Sequence, residues 1–272
     1  MENIRQAIER AKQHPRQQTG ISLEQSPRQE VRRAFGDARQ SAERAQVTLD
    51  VAHLQSHRIV AYDGKDPRSR PFDLLRTEVL QSMDLKGWNV LAVTSPTPRC
   101  GKSLIAANLA LSIARQRERQ VLLVDLDLRK PNVATCLGLK STEGVVGVLE
   151  GRSELYDAIL TAQLGESSLE VLPTVPAANP SDLFGSSAIG MMLEKIKGVS
   201  PSRIVIVDLP PLLTGHDVIS ILPHVDAVLL VAAVGTTKVT EIKECSKYLE
   251  GTAVLRFALN KVSESTAPYV YY

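Results

Sequence analysis

The sequence contains few cysteines and no long apolar run. Its three cysteines, Cys100, Cys136 and Cys245, are widely spaced and form no CxxC pair. This spacing argues against a disulfide framework and a cysteine-based zinc site, and it suits a reducing cytosol. The longest apolar run, residues 227–234, is far too short to cross a bilayer, and the N-terminus MENIRQAIERAKQ has no apolar signal-peptide core. We therefore expect a cytoplasmic protein that reaches a membrane only through a partner.

The chain also has almost no net charge. Its 32 lysines and arginines nearly balance its 30 aspartates and glutamates, which gives a formal charge of +2. Because nucleic acids are bound largely through an excess of basic residues, this balance does not predict a nucleic-acid partner. With 272 residues and 43% hydrophobic content, the chain can bury a substantial core as one large domain or one domain with appendages.

Composition divides the chain into three parts. Residues 1–55 are rich in Gln, Arg and Glu and predict a polar N-terminal arm. Isoleucine and alanine recur at helical spacing between residues 4 and 11, so we expect a short amphipathic helix there, with a weakly ordered arm as the alternative. Residues 56–262 form the main domain, and residues 263–272 form a C-terminal tail.

Apolar runs rich in β-branched residues alternate with helical patterns from residue 89 onward. Most of these runs are continuously apolar, as is typical of strands buried on both faces. Strands that alternate with helices predict βαβ units with right-handed crossovers, and hence an α/β fold with a mostly parallel sheet and helices on both faces. The predicted strands are residues 89–94, 120–127, 169–174, 203–210, 226–234 and 254–262.

The segment SPTPRCGKS, residues 95–103, lies between a predicted strand and a predicted helix. A phosphate-binding loop requires this setting, because the N–H groups and the dipole at the helix N-terminus attract an anion. In the motif GxxxxGK[ST], Lys102 would reach the phosphates and the Ser103 hydroxyl would bind Mg²⁺. Pro96 stands where the motif has its first glycine, which leaves a simple helix start with an exposed lysine as the alternative.

Acidic residues follow two of the predicted strands. VLLVDLDLRKP carries Asp125 and Asp127, and RIVIVDLPPL carries Asp208. Open α/β sheets bind ligands at the carboxyl ends of their strands, and strand alternation directs Asp125 and Asp127 to the same side. One such aspartate alone is more often a cap or turn residue. Three of them beside a GKS loop predict a Mg²⁺-nucleotide site.

These motifs resemble those of the bacterial tyrosine autokinases (BY-kinases) of capsule and exopolysaccharide systems. That family is a branch of the deviant-Walker MinD/ParA-like P-loop ATPases. The matching segments are SPTPRCGKS as Walker A, VLLVDLDLRKP as Walker A′, IVIVDLPPL as Walker B, and LPTVPAANPSDLF, which is similar to the family's NP-[ED]-L segment. The resemblance covers roughly residues 70–262, and its most specific part is the DxDxR run.

The resemblance implies ATP and Mg²⁺ as cofactors and assigns roles to individual residues. Lys102, Asp125, Asp127 and Asp208 would be catalytic, and Ser103 would hold the metal together with Asp125 and Asp208. Asp127 would take the proton from the attacking tyrosine, because a phenol with a pKa of about 10 is a poor nucleophile at neutral pH. The nucleotide-binding residues would be Thr97, Pro98, Arg99, Cys100, Gly101, Lys102, Ser103, Leu104 and, at the adenine base, Asn260.

The resemblance also identifies the phosphate acceptors. Tyr269, Tyr271 and Tyr272 lie in the last four residues, and the family phosphorylates such a cluster between subunits of a homo-oligomer. Each phosphate adds about −1.5 to −2 charges and would oppose renewed docking of the tail in an active site. The alternative is that YVYY forms a final strand, which its aromatic and β-branched residues favour.

The chain departs from the family at several positions. Arg99 stands where the family usually has glycine, and it is tolerated only if the loop does not need a positive φ there. Thr97 replaces the early lysine of the MinD and ParA relatives, which counts against a partition ATPase. Cys100 lies in the anion-binding loop, and we expect its oxidation to block nucleotide binding unless it is a mere spacer.

Charges near the phosphate site and on the first long helix leave further alternatives open. Arg129 and Lys130 would steady the transferred phosphate or dock the substrate, or else they are solvated or paired charges. The family's ring-forming motif ExxRxxR is here RxxDxxR, on Arg70, Asp73 and Arg76. These residues share a helix face and could pair between subunits.

The resemblance implies a protein-tyrosine autokinase that regulates exopolysaccharide or capsule biosynthesis or export. Its partners would be further copies of itself and a membrane chain-length regulator (a polysaccharide co-polymerase) that activates it, with no nucleic acid. It would be cytoplasmic and peripheral to the inner membrane. The alternatives are a MinD/ParA-like switch ATPase without tyrosine kinase activity and a scaffold whose catalysis is impaired by Arg99.

Overall fold

An eight-stranded sheet with an apolar cluster on each face forms the core of the protein. The computed structural model describes residues 45–140, 142–185, 187–198, 202–215 and 217–263. The strands are β1 (Gln46–Thr48), β2 (Val90–Thr94), β3 (Gln120–Asp125), β4 (Leu160–Leu164), β5 (Ser167–Leu172), β6 (Arg203–Asp208), β7 (Ala227–Ala233) and β8 (Ala253–Asn260). The α-helices are α1 (Val51–Ser56), α2 (Arg70–Lys86), α3 (Lys102–Ala114), α4 (Val133–Leu137), α5 (Gly144–Leu149), α6 (Pro180–Phe184), α7 (Ala188–Lys197) and α8 (Val239–Tyr248).

The sheet is mostly parallel, as the sequence predicts. Its strand order is β1-β4-β5-β3-β6-β2-β7-β8, and only the neighbouring strands β4 and β5 are antiparallel. The central strands β3, β6 and β2 therefore end at the same edge of the sheet. Because each of them is followed by a chemically distinctive segment, this topology determines where the candidate site lies.

Burial explains why the central elements are so apolar. Every residue of β2, β6 and β7 is buried, which accounts for their unbroken runs of apolar residues. In α3 all residues except Leu104 are buried, so this helix is surrounded rather than amphipathic. The GKS segment is thus attached to the most deeply buried helix among the described residues.

Each predicted strand corresponds to an observed strand, but the sequence analysis missed β1 and β4. β1 has only three residues, and β4 is half-buried at every position but Ala162, so neither contains a continuous apolar run. Gly165, with φ +57°, lies in the tight turn that joins β4 to β5. That turn is the one local signal for the hairpin.

The structure includes residues 45–55 in the sheet domain, whereas the sequence analysis placed them in the polar arm. Residues 46–48 pair with β4, and Leu54 of α1 is fully buried. The rest of the predicted arm, its short helix included, and residues 264–272 of the tail lie outside the described residues. In the part of the chain that is described, no helix is long and apolar enough to span a bilayer.

Candidate functional site

The GKS segment lies where β2 ends and α3 begins. Gly101 adopts a left-handed conformation, with φ +91°, directly before the first residue of the helix. A Cβ atom at this position would lie 2.1 Å from Nδ2 of Asn260. The backbone conformation therefore favours glycine here, and a larger residue would also displace the Asn260 amide group.

Arg99 has a positive φ of +66°. The loop thus keeps at residue 99 the left-handed conformation that the family's glycine would allow. The sequence analysis expected arginine to be tolerated only where no positive φ is needed, and this condition is not met. A non-glycine residue in this conformation lowers the stability of the fold by about 1–2 kcal/mol, and other interactions of the folded chain offset this loss. The Arg99 side chain is exposed, as is the neighbouring Pro98.

The first half of the loop is held by the segment that follows β6. The backbone N–H groups of Leu212 and Leu213 donate to the carbonyl oxygens of Ser95 and Pro96, at 2.8 and 3.0 Å. Within the loop, Ser95 Oγ donates to the carbonyl oxygen of Thr97 at 2.8 Å. These bonds connect Walker A to the segment after Walker B.

The second half of the loop is held by Asn260, at the end of β8. Its Nδ2 donates to the carbonyl oxygen of Cys100 at 2.9 Å, and its Oδ1 accepts from the N–H of Lys261 at 2.8 Å. Both polar atoms of the side chain are therefore engaged with backbone. Asn260, which the resemblance assigns to the adenine base, thus braces the GKS loop.

The Cys100 side chain points into the core and has no exposed surface. Its Sγ lies 3.4 Å from Thr237 Oγ1 and 3.7 Å from Thr97 Oγ1. An oxidant would have to reach a fully buried sulfur atom, so this placement argues against redox control through Cys100 and favours the spacer alternative.

The structure brings together the lysine of the loop and the three predicted carboxylates. Lys102 Nζ lies 2.8 Å from Asp127 Oδ2 and 3.5 Å from both carboxylate oxygens of Asp208. Asp125 and Asp208 are direct register partners on β3 and β6. All four side chains are buried, and the hydroxyl of Ser103 lies 3.3 Å from Lys102 Nζ.

The electrostatics of this cluster are those of crowded, buried acids. Burial and the neighbouring Asp208 together raise the pKa of Asp125 to about 7, although the N–H of Val133 and the charge of Lys102 oppose the shift. Burial also raises the pKa of Asp208, although Lys102 and Ser103 oppose that shift. Burial lowers the pKa of Lys102, but the carboxylates of Asp208 and Asp127 outweigh this effect and the net shift is upward. Three carboxylates around one ammonium group favour the binding of a further cation.

Asp125 also stabilises the turn that follows β3. Its Oδ1 accepts from the N–H of Asp127 at 3.1 Å, and its Oδ2 accepts from the N–H groups of Asn132 and Val133 at 3.0 Å each. Asp127 Oδ1 in turn accepts from the N–H of Lys130 at 3.0 Å. The Walker A′ segment is therefore folded around its own two aspartates.

Arg129 forms an ion pair, which is one of the alternatives that the sequence left open. Its Nε donates to Asp217 Oδ2 at 2.8 Å, and its Nη2 donates to Ser181 Oγ at 2.9 Å. Ser181 belongs to the NPSDLF segment at the start of α6, and Asp217 lies in a 3₁₀ turn after β6. The sequence analysis did not identify either partner. Lys130 is exposed.

Two of the charges predicted to share a helix face form an ion pair within the chain. Asp73 Oδ1 accepts from Nη1 of Arg76 at 3.0 Å, from Ser112 Oγ at 2.7 Å and from Nη1 of Arg115 at 2.8 Å. These bonds connect α2 to the far end of α3, while Arg70 remains exposed. Within one chain, Asp73 and Arg76 thus already have partners, and a role at a subunit contact stays a prediction.

Sequence reasoning also missed Asn108, a fully buried residue in the middle of α3. Its Oδ1 accepts from the N–H groups of Val60 and Ala61 at 2.8 and 3.0 Å, and its Nδ2 donates to the carbonyl oxygens of Arg58 and Leu104. An asparagine within the apolar helix LIAANLALSIA is the signal that could have revealed it. The residue ties the segment before α2 to the phosphate-binding helix.

The donor set fits magnesium that arrives with a nucleotide. Among the described residues, no group of three His, Cys, Asp or Glu side chains is arranged to hold a metal by itself. Mg²⁺ does not need such a group, because it keeps several waters and takes phosphate oxygens together with one or two carboxylates. Ser103 and Asp208 both lie within 3.5 Å of Lys102 Nζ, and they supply a hydroxyl and a carboxylate beside the N-terminus of α3.

Curated relatives of the chain are tyrosine-protein kinases. YwqD of Bacillus subtilis strain 168 is 33% identical over 231 residues, which are 81% of this chain and 93% of that protein. CpsD of Streptococcus agalactiae serotype Ia is 31% identical over 205 residues, which are 73% of this chain and 84% of that protein. Ptk of Acinetobacter johnsonii is 30% identical over 197 residues, or 72% of this chain, which spans only 26% of that longer protein. No protein-family model matches the chain.

Solved structures agree with these relatives. The kinase domain of the Escherichia coli tyrosine kinase ETK superposes with a TM-score of 0.69 at 27% identity, over 79% of this chain and 84% of that one. The Pyrococcus horikoshii septum site-determining protein MinD with Mg-ADP superposes with a TM-score of 0.54 at 23% identity, over 66% of this chain and 74% of that one. The second likeness concerns the fold alone.

Proposed function

The chain belongs to the bacterial tyrosine-protein kinases, and we propose that it is an ATP- and Mg²⁺-dependent tyrosine autokinase that regulates exopolysaccharide or capsule biosynthesis or export. The observation that carries this proposal is the cluster of Lys102, Asp127 and Asp208 beside the GKS loop. It is supported by the similarity to YwqD, which extends over 93% of that tyrosine-protein kinase.

The residues of the loop would bind the nucleotide. Mg-ATP supplies the transferable phosphoryl group and the cation that neutralises its charge. The backbone N–H groups at the start of α3 would bind the phosphates, and the ammonium group of Lys102 would add a positive charge beside them. Ser103, Asp125 and Asp208 would hold the metal, and the two aspartates lie side by side at the ends of β3 and β6.

Asp127 would act as the general base. Its Oδ2 is paired with Lys102, and this oxygen becomes available to accept a proton when the ammonium group turns to a phosphate. Deprotonation makes the tyrosine hydroxyl a competent nucleophile, which typically contributes about a hundredfold to ten-thousandfold in rate. The hydrogen bond from the backbone N–H of Lys130 to Oδ1 of Asp127 keeps the carboxylate oriented during this change.

The acceptors would be Tyr269, Tyr271 and Tyr272, which lie outside the described residues. We propose that they enter the active site of a second copy in a homo-oligomer of undetermined size. The chain would lie in the cytoplasm, peripheral to the inner membrane, where a membrane chain-length regulator activates it.

The test is phosphopeptide mass spectrometry of the full chain after incubation with Mg-ATP, with and without the cytoplasmic tail of a candidate regulator. Lys102→Met should abolish phosphorylation of the tail tyrosines. Lys65→Met, which changes an exposed lysine remote from the loop, is the matched control and should retain it.

The outcomes separate three functions. Phosphate on the tail tyrosines of the wild type and of the control variant supports the kinase. ATP turnover with unmodified tyrosines would instead indicate a switch ATPase like MinD. If neither ATP binding nor phosphorylation is detected, the chain is a scaffold and the positive φ at Arg99 has disabled the loop.

A further inference from the structure

The last strand of the sheet order, β8, has an open edge. Among the described residues its only strand neighbour is β7. Phe257 and Leu259 are 58% and 63% exposed, although they are in register with the buried residues Leu230 and Ala232 of β7. Long, apolar edge strands are usually covered or blunted in native proteins, because they otherwise associate with other chains.

The backbone of the same two residues faces the side of β8 on which no described strand lies. The carbonyl oxygen of Asn260 accepts from the N–H of Val234 at 3.0 Å, so the backbone groups of Asn260 point toward β7. In a strand this direction alternates from residue to residue. The N–H and C=O groups of Phe257 and Leu259 therefore point outward. The open edge thus offers hydrogen-bonding groups and apolar side chains at the same positions.

The chain turns immediately after this strand. Lys261 has φ +59°, a left-handed conformation that is typical of turns, and its N–H is bonded to Oδ1 of Asn260. Nine residues, 264–272, follow the last described residue Ser263. Five extended residues span roughly 16 Å, which is enough to pair with the second half of β8.

We propose that residues 268–272 of the same chain dock on the open edge of β8 as an antiparallel strand. The connection would be residues 261–267, which are mostly polar or small. With that connection Tyr269 lies beside Leu259 and Tyr271 lies beside Phe257, on one face of the sheet because side chains alternate. The sequence PYVYY, with its aromatic and β-branched residues, suits such a strand.

The docked strand would control access to the acceptor tyrosines, a consequence that rests on the proposed function. A tail paired with its own subunit cannot reach the active site of another. A phosphate on Tyr269 or Tyr271 would bring about two negative charges against the apolar side chains of Leu259 and Phe257. Phosphorylation would therefore release the tail, and dephosphorylation would allow it to dock again.

The experiment is residue-resolved amide hydrogen exchange of the full chain without nucleotide. In the wild type we expect the amides of Phe257 and Leu259 to be protected. In the variant Tyr269→Ser/Tyr271→Ser they should exchange at least about tenfold faster. Tyr156→Ser, which makes the same change at an exposed tyrosine elsewhere, should leave them unaffected.

Other outcomes would overturn the proposal. Equal and rapid exchange at both amides in the wild type and in the tail variant means that the edge is open. Protection that increases with protein concentration means that a second copy covers the edge instead. The exchange experiment involves no phosphoryl transfer, so it tests docking separately from the proposed function. A chain that does not phosphorylate its tail can still show docking, and a chain that is an active kinase can still lack docking.

A second measurement on the described strand keeps the test independent of changes in the tail. Leu259→Lys places a charge on the exposed face of β8 without disturbing the core. We expect chymotrypsin to cleave after Tyr269 and Tyr271 several-fold faster in this variant than in the wild type. Leu85→Lys, at an exposed leucine of α2, is the control. Identical cleavage rates in all three proteins would refute docking on β8.

Discussion

Lys102 and Asp127 form an ion pair between the phosphate-binding loop and the Walker A′ segment, with Nζ 2.8 Å from Oδ2. Both side chains are almost completely buried, so the pair is desolvated and its geometry is tightly restrained. Lys102 also contacts Asp208, which means that it retains a carboxylate partner when Asp127 changes role. The lysine can therefore serve the phosphate while the aspartate serves the proton.

Replacing Asp127 with asparagine should separate these roles. Asp127→Asn keeps the size of the side chain and removes the proton acceptor, so we expect autophosphorylation to fall by about a hundredfold to ten-thousandfold. ATP affinity should change little, because Lys102 and Ser103 remain. Single-turnover phosphorylation and equilibrium ATP binding measure the two effects. Asp157→Asn, at an exposed aspartate, is the control. An unchanged phosphorylation rate would exclude Asp127 as the base.

Replacing Arg99 with glycine should relieve backbone strain. The φ of +66° costs an arginine about 1–2 kcal/mol, and glycine removes this cost while adding about 0.4–1 kcal/mol of entropy to the unfolded state. We expect Arg99→Gly to raise the free energy of unfolding in urea by roughly 0.5–1 kcal/mol. Arg99→Ala keeps the strain and loses the charge, so it should not stabilise the protein. An equal increase in the free energy of unfolding in both variants would mean that the effect comes from removing the charge of Arg99.

The sequence predicts the central sheet well because its strands are buried on both faces. The runs around β2, β6 and β7 are continuously apolar for that reason, and they mark the strands directly. β4 lies near one end of the sheet order and is largely half-buried, so its pattern resembles that of a loop. The meeting of Asp125 and Asp208 was also predictable, because neighbouring parallel strands end at the same edge.

The partners of individual side chains were not predictable. Arg129 and Asp217 are far apart in the sequence and meet only because α6 and the turn after β6 lie over the same strand ends. The pairing of Asn260 with the carbonyl oxygen of Cys100 depends on the end of β8 reaching the loop. The positive φ of Arg99 is a backbone property that its residue type disfavours. None of these leaves a periodic pattern in the sequence.

Asp226 should make stability depend on pH in the acid range. Its carboxylate accepts from the N–H groups of Asn89 and Val90 at 2.9 and 2.8 Å and from Lys197 Nζ at 2.9 Å. Burial alone would raise the pKa of Asp226, but these hydrogen bonds outweigh it and lower the pKa. Because the folded-state pKa lies below the unfolded one, the stabilisation is complete above about pH 4 and is lost as the pH falls through the folded value.

Asp226→Asn should therefore destabilise the protein at neutral pH by about 1–3 kcal/mol, since the amide can no longer accept charge-assisted bonds. The difference from the wild type should shrink as the pH falls below about 4. Urea denaturation at several pH values measures this. Asp157→Asn should show no such dependence. A difference that stays constant down to the most acidic pH would mean that the charge of Asp226 contributes nothing.

Asp217 should act on catalysis by positioning Arg129. The pair connects Walker A′ to the turn after β6, and Ser181 adds a third attachment from α6. The ion pair is partly exposed on the arginine side, so its loss should change stability by less than about 1 kcal/mol. Loss of the restraint on Walker A′ should instead misplace Asp127, which we expect to lower kcat about tenfold or more while the KM for ATP changes little.

The pair can be tested by a double-mutant cycle on autophosphorylation. If Asp217 works only through Arg129, Asp217→Asn, Arg129→Gln and the double variant should share the same reduced kcat, because the second change removes nothing further. Asp217→Glu can still reach the guanidinium and should recover part of the rate. Effects that multiply in the double variant would show that the two residues act separately, and Arg129 would then have a direct role at the transferred phosphate.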